Sequence, residues 1–343
     1  MRKTSMGLLE GFLVESVEDV IFDVKGLVHP PEKVIAFPRF VPDKKGSRIR
    51  NGVKYGKVYT ISERFAFLER TIPKYVVHNE VFDEKLCEVP LRNVKKVYNP
   101  VEGLKRFRES EELDDLERTA LGCLKILKEK TNVPWSKLGV SGSVLVGLRT
   151  DASDIDLIVY GGENCRKVYA ALRRLIEEGD TPFKPYGLKD LQRLFNFRSK
   201  DTIMSFEDFV KVESRKTFQG KFDGRDYFFR FVKDWNEIGE KYGDVRYKNC
   251  GYAKIEATVV DDTGAIFTPC TYNIEDVKVV EGSKLKPIKA IVSFRGRFCE
   301  QAKKDEVVVA QGKVEHVKDY RSGAEYFRLL IGNKPTDYMI LKR

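Results

Sequence analysis

The sequence predicts an α+β protein with three parts. A β-rich N-terminal domain covers residues 1–100, a mixed core with a helical insert covers 101–240, and a small β-barrel or sandwich covers 241–343 and can lend a strand to the core. Three observations carry this reading. Short alternating segments broken by turn signals fill the first hundred residues, helical periodicity brackets one aliphatic strand in the middle, and alternation with glycine turns returns at the end. With 343 residues, the chain has enough sequence for two or three cores.

Taken in order, the first strands are expected over 18–24, 33–41, 52–62, 76–82 and 94–98, with His29-Pro-Pro31 and Lys44-Lys-Gly46 as breaks and Asn99-Pro100 as the close. Leu113, Leu116, Ala120, Leu121, Leu124 and Leu127 recur at helical spacing, which predicts a helix from about Glu109 to Lys130. A strand over 137–140 and a short helix over 143–147 lead to a strand over 155–160. A second amphipathic helix over 164–178 is capped by Gly179. A helical insert over 187–212 and a strand over 226–232 complete the core. Five strands are then expected near 253–261, 265–272, 289–298, 306–317 and 326–332.

Composition excludes several classes. No run of 18 apolar residues exists, so no membrane span is expected. Glu10 and Glu15 interrupt the apolar run near the start and no small-residue cleavage site follows, so a cytoplasmic protein is expected. The six cysteines and three histidines show neither zinc-site nor disulfide spacing and read as small buried thiols and scattered imidazoles. Abundant Lys, Arg and Glu beside only four glutamines fits a thermophilic composition. A net charge of +10 points to a polyanionic partner.

The stretch from Gly139 to Tyr160 carries the chemistry. Asp154 and Asp156 are two apart at the start of the aliphatic run Ile155, Leu157, Ile158, Val159, so on a strand they share one face with Cα atoms roughly 6–7 Å apart. Two acids held so close in a buried strand are costly unless a cation joins them. Mg²⁺ suits them, since it takes one or two carboxylates together with substrate phosphates, and a pair of ions can stabilise both oxygens of an in-line phosphoryl displacement. With ten residues between the Gly-Ser pair and Asp154, Gly142 allows close backbone approach and Ser143 offers a hydroxyl and an N–H at the start of a short helix, a position suited to phosphates.

From Lys137 to about Ile176 these residues resemble the nucleotidyltransferase superfamily that includes DNA polymerase β, the CCA-adding enzymes, poly(A) polymerases and the aminoglycoside-modifying nucleotidyltransferases. The resemblance implies a palm-like core of strand, Gly-Ser turn, short helix and Asp-x-Asp strand. It further implies that Asp154 and Asp156 bind two Mg²⁺ ions, with Mn²⁺ as an alternative, and that Gly142 and Ser143 hold a nucleoside triphosphate. Arg149 and Ser153 match the intervening loop and are carried over as nucleotide-binding positions.

Many members of that superfamily add a third carboxylate from a later strand. Glu256, an acid flanked by Ile255, Ala257 and Val259, is preferred over Asp226, which opens the strand Asp226-Tyr-Phe-Phe-Arg-Phe-Val232. Either acid fits equally well as a cross-strand partner of a lysine or arginine.

Two basic stretches are candidate nucleic-acid contacts. From Lys33 to Lys57 eight Lys or Arg face one Asp, centred on Lys44, Lys45, Arg48 and Arg50, and read as a mobile hairpin loop. From Lys211 to Lys233 seven basic residues, Arg215 and Lys216 among them, interleave with aromatics able to stack on bases. The expected activity is Mg²⁺-dependent transfer of a nucleoside monophosphate from an NTP or dNTP to a hydroxyl on DNA or RNA. The other readings are nucleotidylation of a protein or small molecule, and a non-catalytic nucleic-acid-binding protein built on a degenerate transferase core.

Overall fold

In a computed structural model, which describes residues 7–285 and 287–342, the chain is α+β and folds as two compact units, each drawn from separate stretches of sequence. The first takes the residues through Tyr75, Cys87–Pro185 and Thr217–Gly239. The second takes Val76–Leu86, Tyr186–Lys216 and the residues from Glu240 onward. The N-terminal strands and the mixed core therefore share a unit, and the helical insert joins the C-terminal strands.

The chain opens with β1 (Leu13–Ser16), β2 (Ile21–Val24), β3 (Lys33–Pro42), β4 (Arg48–Arg50) and β5 (Val53–Lys57). Helix α1 (Ile61–Thr71) follows, then β6 (Val76–Asn79), β7 (Glu84–Pro90) and β8 (Val94–Tyr98). The sheet order is β4-β5-β3-β2-β1-β8. Hairpin β4–β5 turns at Asn51-Gly52, both with positive φ, which is the primed turn whose twist matches the strands it joins. The basic stretch around it is thus an ordered hairpin. Residues 61 and 62, expected as the end of a strand, instead open a helix, because Thr60 and Glu63 form a reciprocal capping box.

The helix expected over 109–130 is present from Asp115, and a second helix that was not expected precedes it. Helix α2 (Pro100–Glu109) starts at an Asn99 cap with Pro100 as its first residue, and α3 (Asp115–Thr131) starts at a capping box of Asp114 and Glu117. Strand β9 (Leu138–Val140), the one-turn helix α4 (Gly142–Leu145), β10 (Ile155–Tyr160) and α5 (Gly162–Glu178) follow. Next come β11 (Phe183–Lys184), α6 (Leu188–Arg198), α7 (Phe206–Glu213), β12 (Gln219–Phe222) and β13 (Arg225–Val232). The second sheet has the order β11-β12-β13-β10-β9, with β10 and β13 parallel and the other pairs antiparallel.

Alternation along β10 separates two roles. Ile155, Leu157 and Val159 are fully buried on one face. On the other face Asp156 and Ile158 stand beside Phe228 and Arg230 of β13. The N-terminal segment covers the far end of that second face: Leu9 packs on Ile158, Tyr160 and Val232, and the Tyr160 hydroxyl donates to the Glu10 carbonyl at 3.1 Å. Only the Asp-bearing end of β10 lies beyond this cover.

The second unit holds β14 (Val245–Asp261), β15 (Cys270–Gly282), β16 (Ile288–Ser293), β17 (Val307–Asp319), β18 (Glu325–Leu330) and β19 (Tyr338–Leu341). Pairing runs β14-β15-β16-β18-β17, and β17 pairs again with β14, so the sheet curls toward a barrel, with β19 added to β17. Among the described residues no helix is long and apolar enough to cross a membrane. All six cysteines are free thiols, and five are buried.

Lys313 is buried in this unit between Glu84 and Glu315, at 2.5 and 2.8 Å, and Glu315 also accepts from Arg328 at 2.7 Å. Removing the ammonium leaves the buried Glu315 with Arg328 alone and Glu84 with only the Asn333 amide. Lys313→Ala is therefore expected to cost about 3–5 kcal/mol in urea unfolding, and a loss below about 1 kcal/mol would show the cluster to be solvated.

Candidate functional site

Asp154 and Asp156 stand at the N-terminal end of β10, both half-buried. Among the described residues neither side chain forms a hydrogen bond or an ion pair. Other buried acids of the same unit are neutralised. Glu10 and Asp23 share Lys25 and Arg230 at 2.9–3.2 Å, Glu15 accepts from Arg50 at 2.8 Å, and Glu88 from Lys33 at 2.7 Å. The Asp pair alone among these is left with unoccupied lone pairs.

Gly142 lies directly against Asp156. A Cβ built at Gly142 would fall 1.8 Å from Asp156 Oδ2, and its φ of +61° is one that L side chains rarely adopt. Any side chain there would displace the carboxylate. Ser141 N donates to the Asp156 carbonyl at 2.8 Å, which fixes the turn to the strand. The buried Ser143 donates its hydroxyl to Ser153 at 3.2 Å, and Ser153 also accepts from the Thr150 N–H at 2.9 Å and from Arg48 at 3.5 Å. Gly142, Ser143, Ser153 and both aspartates are therefore gathered in one place.

Around the acids stand cations from strands of both sheets. Burial and Asp154, in that order, push the Asp156 carboxyl up to about 6, while Lys57, Arg39 and Arg230 pull it back. Burial and Arg39 bring the Lys57 ammonium down to about 8 against the pull of Asp154 and Asp156. Arg230 is half-buried, and Asp23, Glu10 and Asp156 hold it firmly charged against the cost of desolvation. Lys57 on β5, Arg39 on β3 and Arg230 on β13 belong to the site. Sequence reading missed them, and the one available signal was a lone cation within an otherwise apolar strand.

The other expected site residues are engaged elsewhere. Arg149 turns back to Asp114 and Glu117 at the start of α3. Arg48 is buried and donates to the Leu148 carbonyl, and Arg50 bonds Glu15 and Tyr98 at 2.8 and 2.5 Å. Lys44 and Lys45 are exposed between β3 and β4. Arg215 and Lys216 lie in the second unit. Arg215 pairs with Glu306 at 2.5 Å, and the fully buried Lys216 is held by Glu213 at 2.6 Å and by Gln301 at 2.9 Å. Arg48, Arg50, Arg215 and Lys216 are thus committed within the fold, where a sequence cannot distinguish them from surface charges.

Both candidates for a third carboxylate meet lysines. Asp226, one strand from the pair, bonds Lys221 at 2.9 Å across the β12–β13 hairpin. Glu256 belongs to the second unit, on β14, and accepts from Lys342 at 2.6 Å. Among the described residues no group of three His, Cys, Asp or Glu side chains is arranged to hold a metal ion. Two carboxylates still fit Mg²⁺, which usually takes one or two from protein and the rest from phosphates and water. Neither carboxylate is taken by an internal donor, and Gly142 keeps the turn backbone close to Asp156 Oδ2.

The raised Asp156 carboxyl has a thermodynamic consequence. Its value of about 6 in the fold lies above its ordinary 3.8, so its stabilising contribution is present at low pH and is lost as pH rises through 6. Asp156→Asn removes that penalty, worth up to about 3 kcal/mol by linkage. The variant is expected to melt higher than the wild type above pH 7, with the gap closing toward pH 4. A gap that stays constant across this range would show that Asp156 is paired.

The chain is 34% identical over 341 residues to the uncharacterized protein MJ1086 of Methanocaldococcus jannaschii, covering 96% of this chain and 98% of that protein. No family model matches the chain, and no solved structure matches it. With near-complete coverage of both sequences, the protein belongs to the family of this methanogen protein.

Proposed function

We propose that the protein is a Mg²⁺-dependent nucleotidyltransferase that joins a nucleoside monophosphate from an NTP or dNTP to a hydroxyl of DNA or RNA and releases pyrophosphate. The observation that carries this reading is the pair of unpartnered, half-buried carboxylates packed against a glycine that has no room for a side chain. An acid pair held close against mutual repulsion is destabilising, so its presence at this position supports a ligand that relieves the repulsion.

Asp154 and Asp156 would hold the metal, which when bound supplies charge neutralisation at the triphosphate. Gly142 lets the triphosphate approach the backbone of the turn. The Ser143–Ser153–Thr150 hydrogen bonds fix the loop that lies between the turn and the acids. Lys57 and Arg39 bring positive charge from the N-terminal sheet and are suited to the β- and γ-phosphates. The acceptor hydroxyl gives up its proton to solvent as its oxygen bonds the α-phosphorus and the bond from that phosphorus to the bridging oxygen breaks, with pyrophosphate leaving. Lys57, with its ammonium near 8, can be charged with substrate bound and can release a proton at moderately alkaline pH.

Asp154→Asn and Asp156→Asn are each expected to lower incorporation of labelled nucleotide by on the order of 10²-fold or more, since even outer-shell partners of metals are worth 10–100-fold. The assay supplies Mg²⁺ and each labelled triphosphate with a primer, with a transfer-RNA-like hairpin, or with no added acceptor. Label in polynucleotide supports the proposal, and label in protein moves the acceptor to a polypeptide. Full activity in either variant removes these acids from the reaction. Mg²⁺ should also raise the melting temperature of the wild type at pH 8 and leave that of the double variant unchanged, a readout independent of turnover.

A further inference from the structure

A second site lies on the other side of the Gly142–Leu145 turn. Its residues come from the tip of the β4–β5 hairpin, from β8, from α2 and from Val144–Gly147, all within the first unit, and they enclose a cleft of about 400 Å³. That volume falls in the roughly 300–1,000 Å³ range of ligand sites. Five cations, Arg50, Lys95, Lys96, Arg106 and Arg149, face two acids, Glu15 and Glu117.

The pairing within the cleft shows which of those charges remain available. Glu15 is taken by Arg50, with Lys95 at 3.6 Å, and Lys95 also holds Asp19 at 2.6 Å. Arg149 is held by Asp114 and Glu117. Lys96 and Arg106, both exposed, form no ion pair among the described residues. Lys96 lies over the Tyr98 ring at 4.7 Å, and Arg106 reaches only the Leu145 carbonyl, at 3.5 Å. Two uncompensated cations from different elements, one on a strand and one on a helix, thus flank an open trough.

The trough is rigidly tied to the acid site. Helix α2 presses on α4 so closely that a Cβ at Gly103 would fall 2.4 Å from Leu145 Cδ1. The same four-residue turn that begins at Gly142, beneath Asp156, lines the cleft with Val144 and Leu145. A ligand in the cleft therefore lies next to the turn that the acids rest on. The open shape and exposed cations suit a chain of phosphates, whereas a small free anion is better served by convergent, enclosed donors.

We propose that this cleft holds the phosphodiester backbone of the acceptor polynucleotide, with Lys96 and Arg106 as its main phosphate contacts. The role as acceptor rests on the transferase reading, but the binding does not. The test is fluorescence anisotropy with a labelled 12-nucleotide single strand, as RNA and as DNA of the same sequence, in EDTA without triphosphate. Lys96→Glu with Arg106→Glu is expected to weaken binding at least tenfold and to flatten the plot of log affinity against log salt by about 1.4, two contacts at roughly 0.7 each.

Preference for RNA or equal binding of both strands supports the proposal, the first adding contacts to the 2′-hydroxyl. If the charge reversal unfolds the protein, Lys96→Gln with Arg106→Gln replaces it, with a loss of about threefold or more expected and the same change of slope. Wild-type affinity in the charge variants, or no binding of either strand by the wild type, overturns the proposal. Failure of nucleotide transfer together with Lys96- and Arg106-dependent binding would overturn the transferase reading and leave this one standing.

Discussion

Two carboxylates on one face of a strand, with no partner for either and a glycine backbone against one of them, constrain much of the first unit. Asp156 is buried enough that its proton is retained to about pH 6, so above that pH the fold carries an unrelieved negative charge. Lys57, Arg39 and Arg230 attenuate the cost from a distance without closing an ion pair. A direct salt bridge would be more stable and would occupy the lone pairs that no internal donor now takes. The arrangement sacrifices stability at one point while the rest of the unit pairs its buried acids, as expected where a site is organised for a ligand rather than for the fold.

Three arginines secure the turn beneath those acids. Arg106 reaches the Leu145 carbonyl at 3.5 Å, Arg50 reaches the Val146 carbonyl at 3.4 Å, and Arg48 donates to the Leu148 carbonyl. A one-turn helix leaves most of its carbonyls without intrahelical partners, and charged donors are stronger replacements than water. Arg225 similarly holds the carbonyls of Asp151 and Ser153 at 2.8 and 3.3 Å. The loop from Gly142 to Asp154 is thereby held at several points by side chains from β4, α2 and β13. The N-terminal sheet is consequently part of the site's framework, which accounts for its sharing a compact unit with the mixed core.

Much of the central architecture was legible because local signals agreed. The β10 strand spans the residues its aliphatic run predicts, and Gly179 ends α5 with a φ of +74°. Helix α1 was legible in principle through Thr60-x-x-Glu63, but aromatic and β-branched neighbours suggested a strand. Helix α2 was hidden because Asn99-Pro100 reads equally as a turn and as a helix start. The cationic ring was legible only as lone cations within apolar strands, with nothing to connect them. Lys57, Arg39 and Arg230 come from three strands up to 191 positions apart in number, and only the packing of the two sheets unites them.

Charge runs illustrate the same limit from the other side. Arg48 and Lys44 lie four residues apart in one basic stretch, yet one is buried against a loop carbonyl and the other is in water. Lys216, in the second stretch, is fully buried with a carboxylate, a carbonyl and an amide oxygen around its ammonium. A formal net charge of +10 therefore does not measure the field that a polyanion meets. That field depends on which cations lack an internal acid and remain in solvent, because only these gain from replacing condensed counterions at a phosphate. Among the cations lining the cleft this criterion removes Arg50, Lys95 and Arg149 and leaves Lys96 and Arg106 beside the turn on which the paired aspartates rest.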